Sequence, residues 1–380
     1  MNGNNISPFQ FGTLATDENF IDRDADRALI KRLMMSHINV MLVSPRRWGK
    51  SSLVRRAMEE LREEHEEVRV CHIDAFSISS EAEFYRTFAS KVIACASTTM
   101  ERWVDDAKKF LNGVVPQIIV NGPLNDFVAF DIKYVPRQQD KMSILQLPET
   151  LAEEKGLKIM VCIDEFQQLA NLPEYKDLIG KMRSQWQRQQ LATYCLYGSK
   201  RHMMVDIFNN ANSPMYRFGQ VVFLKKIAKE DWAAFIVRAF AGTGKSISRE
   251  LAEKICDITV CHSWYIQQLC FFLWNLTAGE VEASTVDLAL KQVININTPM
   301  FQNDTDALTI SQRELLSAIA NGEQQLSSIK TRQRYNLGNP NTLVRNKRML
   351  QERDIITLSS NRLVFVDPIY RLWLRSKPRK

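Results

Sequence analysis

Two short stretches carry the residues whose types and spacing could do chemistry. The first is Ser44-Pro45-Arg46-Arg47-Trp48-Gly49-Lys50-Ser51-Ser52, with an apolar run before it and a helical pattern after it. It matches the phosphate-loop spacing G-x-x-x-x-G-K-[ST] except that Ser44 stands where the first glycine is expected. A loop of this kind turns successive backbone N–H groups inward at a helix N-terminus, which suits an anion. Lys50 would bring a positive charge to the β- and γ-phosphates, and the Ser51 hydroxyl would ligate Mg²⁺. The second stretch is Ile159 to Ile163, an apolar run that ends in Asp164-Glu165. An acid at the end of a neighbouring strand can share the Mg²⁺, a role for Asp164, and Glu165 can polarise an attacking water. The bland alternative is a chance Gly-Lys-Ser and a polar strand end. Two such motifs in one chain, each in its expected context, weigh against it.

Further candidates are weaker by themselves. Tyr197-Gly198-Ser199 ends another apolar run; Ser199 could sense the γ-phosphate, or be a plain turn residue. Arg217, in Ser213-Pro214-Met215-Tyr216-Arg217-Phe218, could serve as an arginine finger or be an ordinary surface cation. A second Gly-Lys-Ser, Gly244-Lys245-Ser246, follows an amphipathic helix, not a strand, and is set aside. The group Cys256, Cys261, His262 and Cys270 has poor metal-ligand spacing, and no H-E-x-x-H or G-x-S-x-G motif occurs.

These residues need a sheet to position them. Ile38 to Val43, Val68 to Asp74, Lys158 to Ile163, Ala192 to Tyr197 and Gln220 to Leu224 read as short strands. Helical patterns separate them: one from Ser51, then Glu81 to Ser97, Leu147 to Lys155 with Pro148 in its first turn, and Tyr175 to Gln189. This alternation predicts an α/β domain with a parallel sheet. Gln117 to Val120 and Phe127 to Ile132 around Asn121-Gly122 read as an inserted β-hairpin. From Glu230 to about Asn297 the period turns helical, with Trp232, Phe235, Ile236, Ala239 and Phe240 on one face and Ile266, Leu269, Cys270 and Leu273 on another. The expected division is a nucleotide-binding core over 1–228, with a hairpin insertion at about 112–136, a helical lid over 229–300 and a terminal domain over 301–380, the boundary falling in Asn295 to Thr305.

The terminal domain reads as a winged helix. Gln312 to Ala320 and Leu326 to Arg332 are helical, and Asn339-Pro340 opens a third helix to about Arg353, with Asn339 as its cap. Ile355 to Leu358 and Leu363 to Val366 would form the wing. Net charge of the whole chain is +7, yet residues 311–380 hold fourteen Lys/Arg against five Asp/Glu, so the positive excess is local. Arg345, Lys347 and Arg348 on the third helix, with Arg332, Arg334, Arg375, Lys377, Arg379 and Lys380 around it, could neutralise the phosphates of double-stranded DNA. Winged helices also serve as protein contacts, so a protein partner is the alternative.

Phe20-Ile21-Asp22-Arg23-Asp24, the Pro45 to Leu53 loop, Ile163-Asp164-Glu165-Phe166-Gln167, Gly198 to His202 and Pro214 to Phe218 together resemble the archaeal-type P-loop ATPases, relatives of the AAA+ and signal-transduction NTPases. The resemblance implies Walker A and Walker B motifs, ATP with Mg²⁺, hydrolysis and a C-terminal winged helix. It also implies that Arg23 belongs to a motif near the adenine. Two departures stand out: Ser44, and Cys261 and Ser263 flanking His262 where the family has glycine and proline. Seven scattered cysteines without a C-x-x-C pair, no long apolar run and a polar N-terminus lead to the expectation of a cytoplasmic protein with reduced thiols. The functional expectation is an ATP-controlled switch, with ATP between core and lid setting the winged helix. The rival is a nucleotide-binding adaptor with little turnover.

Overall fold

The computed structural model describes residues 6–12, 21, 23–111, 115–120, 128–133, 140–359 and 361–377. Nine strands occur among them: β1 Val40–Val43, β2 Val68–Asp74, β3 Val115–Val120, β4 Val128–Lys133, β5 Lys158–Asp164, β6 Ala192–Gly198, β7 Gln220–Phe223, β8 Ile356–Ser359 and β9 Arg362–Phe365. By internal packing the chain forms two compact units. One holds residues 23–46 and 50–225; the other holds 1–22, 47–49 and 226–380.

The first unit is built on a five-stranded sheet in the order β2-β5-β6-β1-β7, with all pairings parallel. Every residue of β1 and β6 is buried, as are Ile159 to Ile163 of β5. Such continuous apolar runs belong to strands covered on both faces. The order corrects one expectation. β5 is not the immediate neighbour of β1; β6 lies between them, so the end of β6 falls between the phosphate loop and the acidic pair. Asn39, just before β1, accepts the Tyr194 N–H through Oδ1 (2.9 Å) and donates from Nδ2 to the Phe218 carbonyl (3.4 Å). One side chain thus ties β1 to β6 and to the approach to β7.

The helix Asp140–Lys155 starts seven residues before the expected Leu147, and Pro148 lies in its interior. Proline there removes one backbone donor and kinks rather than ends a helix that buried packing holds. Ile144, Leu145, Leu147, Leu151 and Ala152 supply that packing. Glu149 on this helix is buried, and its carboxylate accepts the N–H groups of Gln190, Leu191 and Ala192 at 2.8, 2.9 and 3.0 Å. It satisfies the entry of β6, which would otherwise leave three donors without partners. β3 and β4 pair antiparallel as a separate ribbon; the expected Asn121-Gly122 turn lies outside the described residues.

Among its described residues the second unit is helical apart from the antiparallel pair β8–β9 and an isolated bridge between Ser246 and Glu280. Its helices Lys229–Ala241, Arg249–Ile258, Ser263–Leu276 and Ala283–Asp306 bury Trp232, Ile236, Phe240, Ile266, Leu269, Cys270 and Leu273 in one core. The stretch Asn295 to Thr305, expected as a boundary, lies inside the 24-residue helix Ala283–Asp306, with Pro299 in it. Three further helices, Ile310–Ala320, Ile329–Arg334 and Pro340–Glu352, precede β8. Thr309 and Gln312 form a capping box on the first, and Asn339 caps the third by accepting the Thr342 N–H at 2.8 Å. No helix among the described residues is long and apolar enough to cross a membrane.

Candidate functional site

The phosphate loop leaves β1 at Val43 and enters the helix Lys50–Glu64. Arg47 (φ 65°) and Gly49 (φ 82°) are left-handed, with Trp48 between them at negative φ. Left-handed residues in such a loop can help to turn N–H groups to one side, as an anion nest requires. A Cβ added at Gly49 would meet nothing within 4 Å, so the glycine is there for backbone conformation and its flank is open. Ser44 is fully buried, its φ is not positive, and its hydroxyl donates to the Pro45 carbonyl at 3.1 Å. No left-handed bend falls at residue 44, so the missing glycine costs the loop little.

Six side chains of the first unit are joined here: Arg46, Lys50, Ser51, Asp164, Glu165 and Ser199. Lys50 Nζ donates to Glu165 Oε1 at 3.2 Å and stands 3.9 Å from Asp164 Oδ1. Ser51 Oγ donates to Asp164 Oδ2 at 2.6 Å. Ser199 Oγ donates to Glu165 Oε2 at 2.8 Å and accepts from Arg46 Nε at 3.4 Å. Glu165 begins the turn after β5 in a left-handed conformation, φ 50°, which swings its carboxylate across the end of β6. The two acids respond differently to their surroundings. For Asp164 burial dominates and raises the pKa, against the Lys50 charge, the Ser51 hydroxyl and the Glu165 N–H. For Glu165 burial also pushes up, but the nearer Lys50 charge and the Gln167, Ser199 and Lys50 hydrogen bonds outweigh it, and the pKa falls. Ser51 and Asp164 present adjacent hard oxygens, the donor set Mg²⁺ takes alongside phosphate oxygens. Among the described residues, no group of three or more His, Cys, Asp or Glu could hold a metal without such help.

Comparison with known proteins bears on this arrangement. A family model described as "Probable winged helix domain" matches residues 299–376. No curated protein sequence matches the chain. Among solved structures, the Walker-type ATPase paby2304 of Pyrococcus abyssi superposes with a TM-score of 0.71 at 17% identity, covering 97% of this chain and 99% of that one. The ORC2 protein of Aeropyrum pernix, solved in ADPNP–ADP complexes, gives 0.57 at 14% identity, with 95% and 97% covered. The ORC1 protein of the same organism, solved in complex with DNA, gives 0.50 at 11%, with 95% and 94% covered. This is the fold of the Walker-type P-loop ATPases.

Within the Walker-type fold the remaining expected residues have varied surroundings. Ser52 is buried on the helix after Lys50. Arg23 is buried where the helix Asp24–Met35 begins, and its Nη1 donates to Asp26 (3.0 Å) and to the Lys225 carbonyl (2.9 Å). Phe20 and Asp22 of its motif lie outside the described residues. Arg47 to Gly49 group with the second unit, where the Arg47 guanidinium sits 4.2 Å over the Trp264 ring and Lys226 Nζ 5.5 Å from the Trp48 ring. Arg217 is exposed, with its guanidinium over the Tyr216 ring at 5.2 Å, and it takes no part in the bonds that join Lys50, Glu165 and Ser199. The set-aside Lys245 donates to the Trp274 carbonyl at 2.6 Å and covers the Trp274 ring at 3.7 Å, a packing role.

On the winged helix, Arg345 and Arg348 are exposed. Arg348 Nε donates to Glu352 at 2.7 Å, so part of its charge is already met. Lys347 is half-buried, and burial lowers its pKa. Arg332 bridges the Ser327 and Gly338 carbonyls, and Arg334 pairs with Glu323 at 3.0 Å, so these two serve the domain's own structure. Ser360, Arg379 and Lys380 lie outside the described residues. The residue that sequence reasoning passed over is Gln167, fully buried, whose Nε2 donates to Glu165 Oε2 at 2.5 Å. It ends the Ile163 to Gln167 segment, and its one signal in the sequence is an amide beside the apolar Phe166.

Proposed function

We propose that this chain binds ATP with Mg²⁺ and hydrolyses it, using a core over 1–228 with a lid over 229–300 and a winged helix over 301–380. The observation that carries the reading is the juxtaposition of Lys50, Ser51, Asp164, Glu165 and Ser199 through their hydrogen bonds. Pro45, Arg46, Arg47, Trp48, Gly49 and Ser52 shape and flank the phosphate loop, and Arg23 marks the base side. Lys50 would exchange Glu165 for the β- and γ-phosphate oxygens, and the Ser51 hydroxyl and the Asp164 carboxylate are the groups that would hold the Mg²⁺. Bound Mg²⁺ would neutralise charge on the β- and γ-oxygens. Glu165, released by Lys50, accepts a proton from water as the water oxygen bonds to the γ-phosphorus; the bond to the β–γ bridging oxygen breaks, and ADP and phosphate leave. Ser199 is placed to follow the γ-phosphate. Arg217 is a candidate arginine finger, acting within its own chain or across a subunit interface.

The nucleotide state is proposed to control how the winged helix engages its partner. Arg345, Lys347 and Arg348 favour double-stranded DNA, with Arg345 the most available of the three. A solved neighbour that carries DNA supports this reading. Val344, 66% exposed on the same helix, favours a protein partner as the second reading, that of an adaptor.

Two substitutions test the nucleotide reading in the full-length protein, by fluorescent-nucleotide titration and phosphate release. Lys50→Ala should abolish binding, and Asp164→Asn should lower turnover and raise the Mg²⁺ concentration it requires. Full nucleotide affinity in Lys50→Ala would overturn the proposal.

A further inference from the structure

Among the described residues Glu165 has three side-chain donors: Lys50, Ser199 and Gln167. The first two are the groups expected to turn toward phosphate oxygens, so in the reacting arrangement neither can keep the carboxylate in place. Gln167 has no such duty. It lies two residues beyond Glu165, and a carboxylate only accepts, so the NH₂ end of the amide must be the end that faces it. The other end, Oε1, is buried and has no hydrogen-bond partner among the described residues. A folded chain rarely leaves such an oxygen without a partner unless the group is kept for another reason.

The space for that amide is provided by a specific residue. A Cβ on Gly198, the last residue of β6, would sit 1.8 Å from Gln167 Oε1 and 2.8 Å from Met204 Sδ. Gly198 does not have a positive φ, so room, not backbone freedom, is what glycine supplies here. Thus the end of β6, the left-handed Glu165 and the buried amide make one arrangement around a single carboxylate oxygen.

We propose that Gln167 is a positioning residue that keeps the Glu165 carboxylate aimed at the attacking water when Lys50 and Ser199 turn to the phosphates. Glu165 Oε2 stays with the amide, and Oε1, vacated by Lys50, takes the water proton. The inference rests on the ATPase reading above, and it adds a residue that acts through Glu165 and touches no phosphate.

The test uses the full-length protein, Mg-ATP and single-turnover hydrolysis, with Gln167→Met, Glu165→Gln and the double variant. Gln167→Met keeps nearly the same volume without the donor. Its kcat should fall about 10- to 100-fold, the usual loss for an orienting partner, with KM within about threefold. In the Glu165→Gln background the same change should lower the rate no further, because its target is gone. Gly198→Ala, which takes the space of the amide and leaves Gln167 in the chain, should reproduce the kcat loss if Gln167→Met folds poorly. An unchanged kcat in Gln167→Met, or equal losses with and without Glu165, overturns the positioning role while the ATPase reading stands. Absence of hydrolysis in the unsubstituted protein overturns both.

Discussion

Glu165→Gln is expected to move turnover and affinity in opposite directions. Removing the carboxylate removes the base that takes the water proton, and turnover should fall by about 10²–10⁴-fold. The same carboxylate holds Lys50 at 3.2 Å, so ATP must first compete with it for the ammonium. Two unit charges at that separation attract by about 5 kcal/mol at an effective dielectric constant of about 20. Most of this is offset by desolvation and by water reaching Glu165, whose side chain is 20% exposed. A net competition of about 1 kcal/mol remains, equivalent to about fivefold tighter ATP binding in the variant. Removing a negative charge beside the triphosphate acts in the same direction. The assay pairs isothermal titration with ATP and Mg²⁺ against steady-state phosphate release. A variant that loses both affinity and turnover would mean that Glu165 supports structure. Undiminished turnover would refute the reasoning outright.

Three further outcomes are expected. Glu149→Ala leaves the Gln190, Leu191 and Ala192 N–H groups without their acceptor, and urea unfolding should show a loss of about 3 kcal/mol with kcat preserved at permissive temperature; a loss below about 0.5 kcal/mol would show that water replaces the carboxylate. His262 is buried, its Nδ1 lacks a partner among the described residues, and burial, then the Lys226 and Arg47 charges, hold its pKa down at about 3. Above pH of about 6.5 it is neutral folded and unfolded; below that the unfolded chain gains a proton the folded chain refuses, so stability falls toward pH 3 by up to about 1.4 kcal/mol per pH unit. His262→Phe should flatten that limb in urea midpoints measured from pH 4.5 to 7.5, with His72, pushed down to about 4 by burial and by Arg55 and Arg62, and carboxylates of lowered pKa such as Glu165 contributing to what slope remains; an identical limb would rule His262 out. Arg345→Ala should weaken duplex DNA binding and lower the log–log salt slope by about 1, and Arg348→Ala by less because Glu352 already meets it; salt-independent binding would direct attention to a protein partner.

The chain's local patterns determined much of this molecule. Strand, loop and helix around Lys50, the apolar run ending in Asp164-Glu165, and the caps at Thr309 and Asn339 are each encoded within about a dozen residues, where hydrophobic period and backbone hydrogen bonding act. Helix starts were less legible: Pro148 read as a first-turn marker, although Asp140 begins the helix and burial carries it through the proline. Tertiary structure alone decided that β6 stands between β1 and β5, since strands buried on both faces have no alternation that names their neighbours. It alone brought Gln167 onto Glu165 through the space at Gly198, and it committed Arg332 and Arg334 to their own domain. A side chain's partner depends on which surfaces must be buried together across the whole chain, and that constraint is global, whereas a cap or a loop is satisfied by its neighbours in sequence.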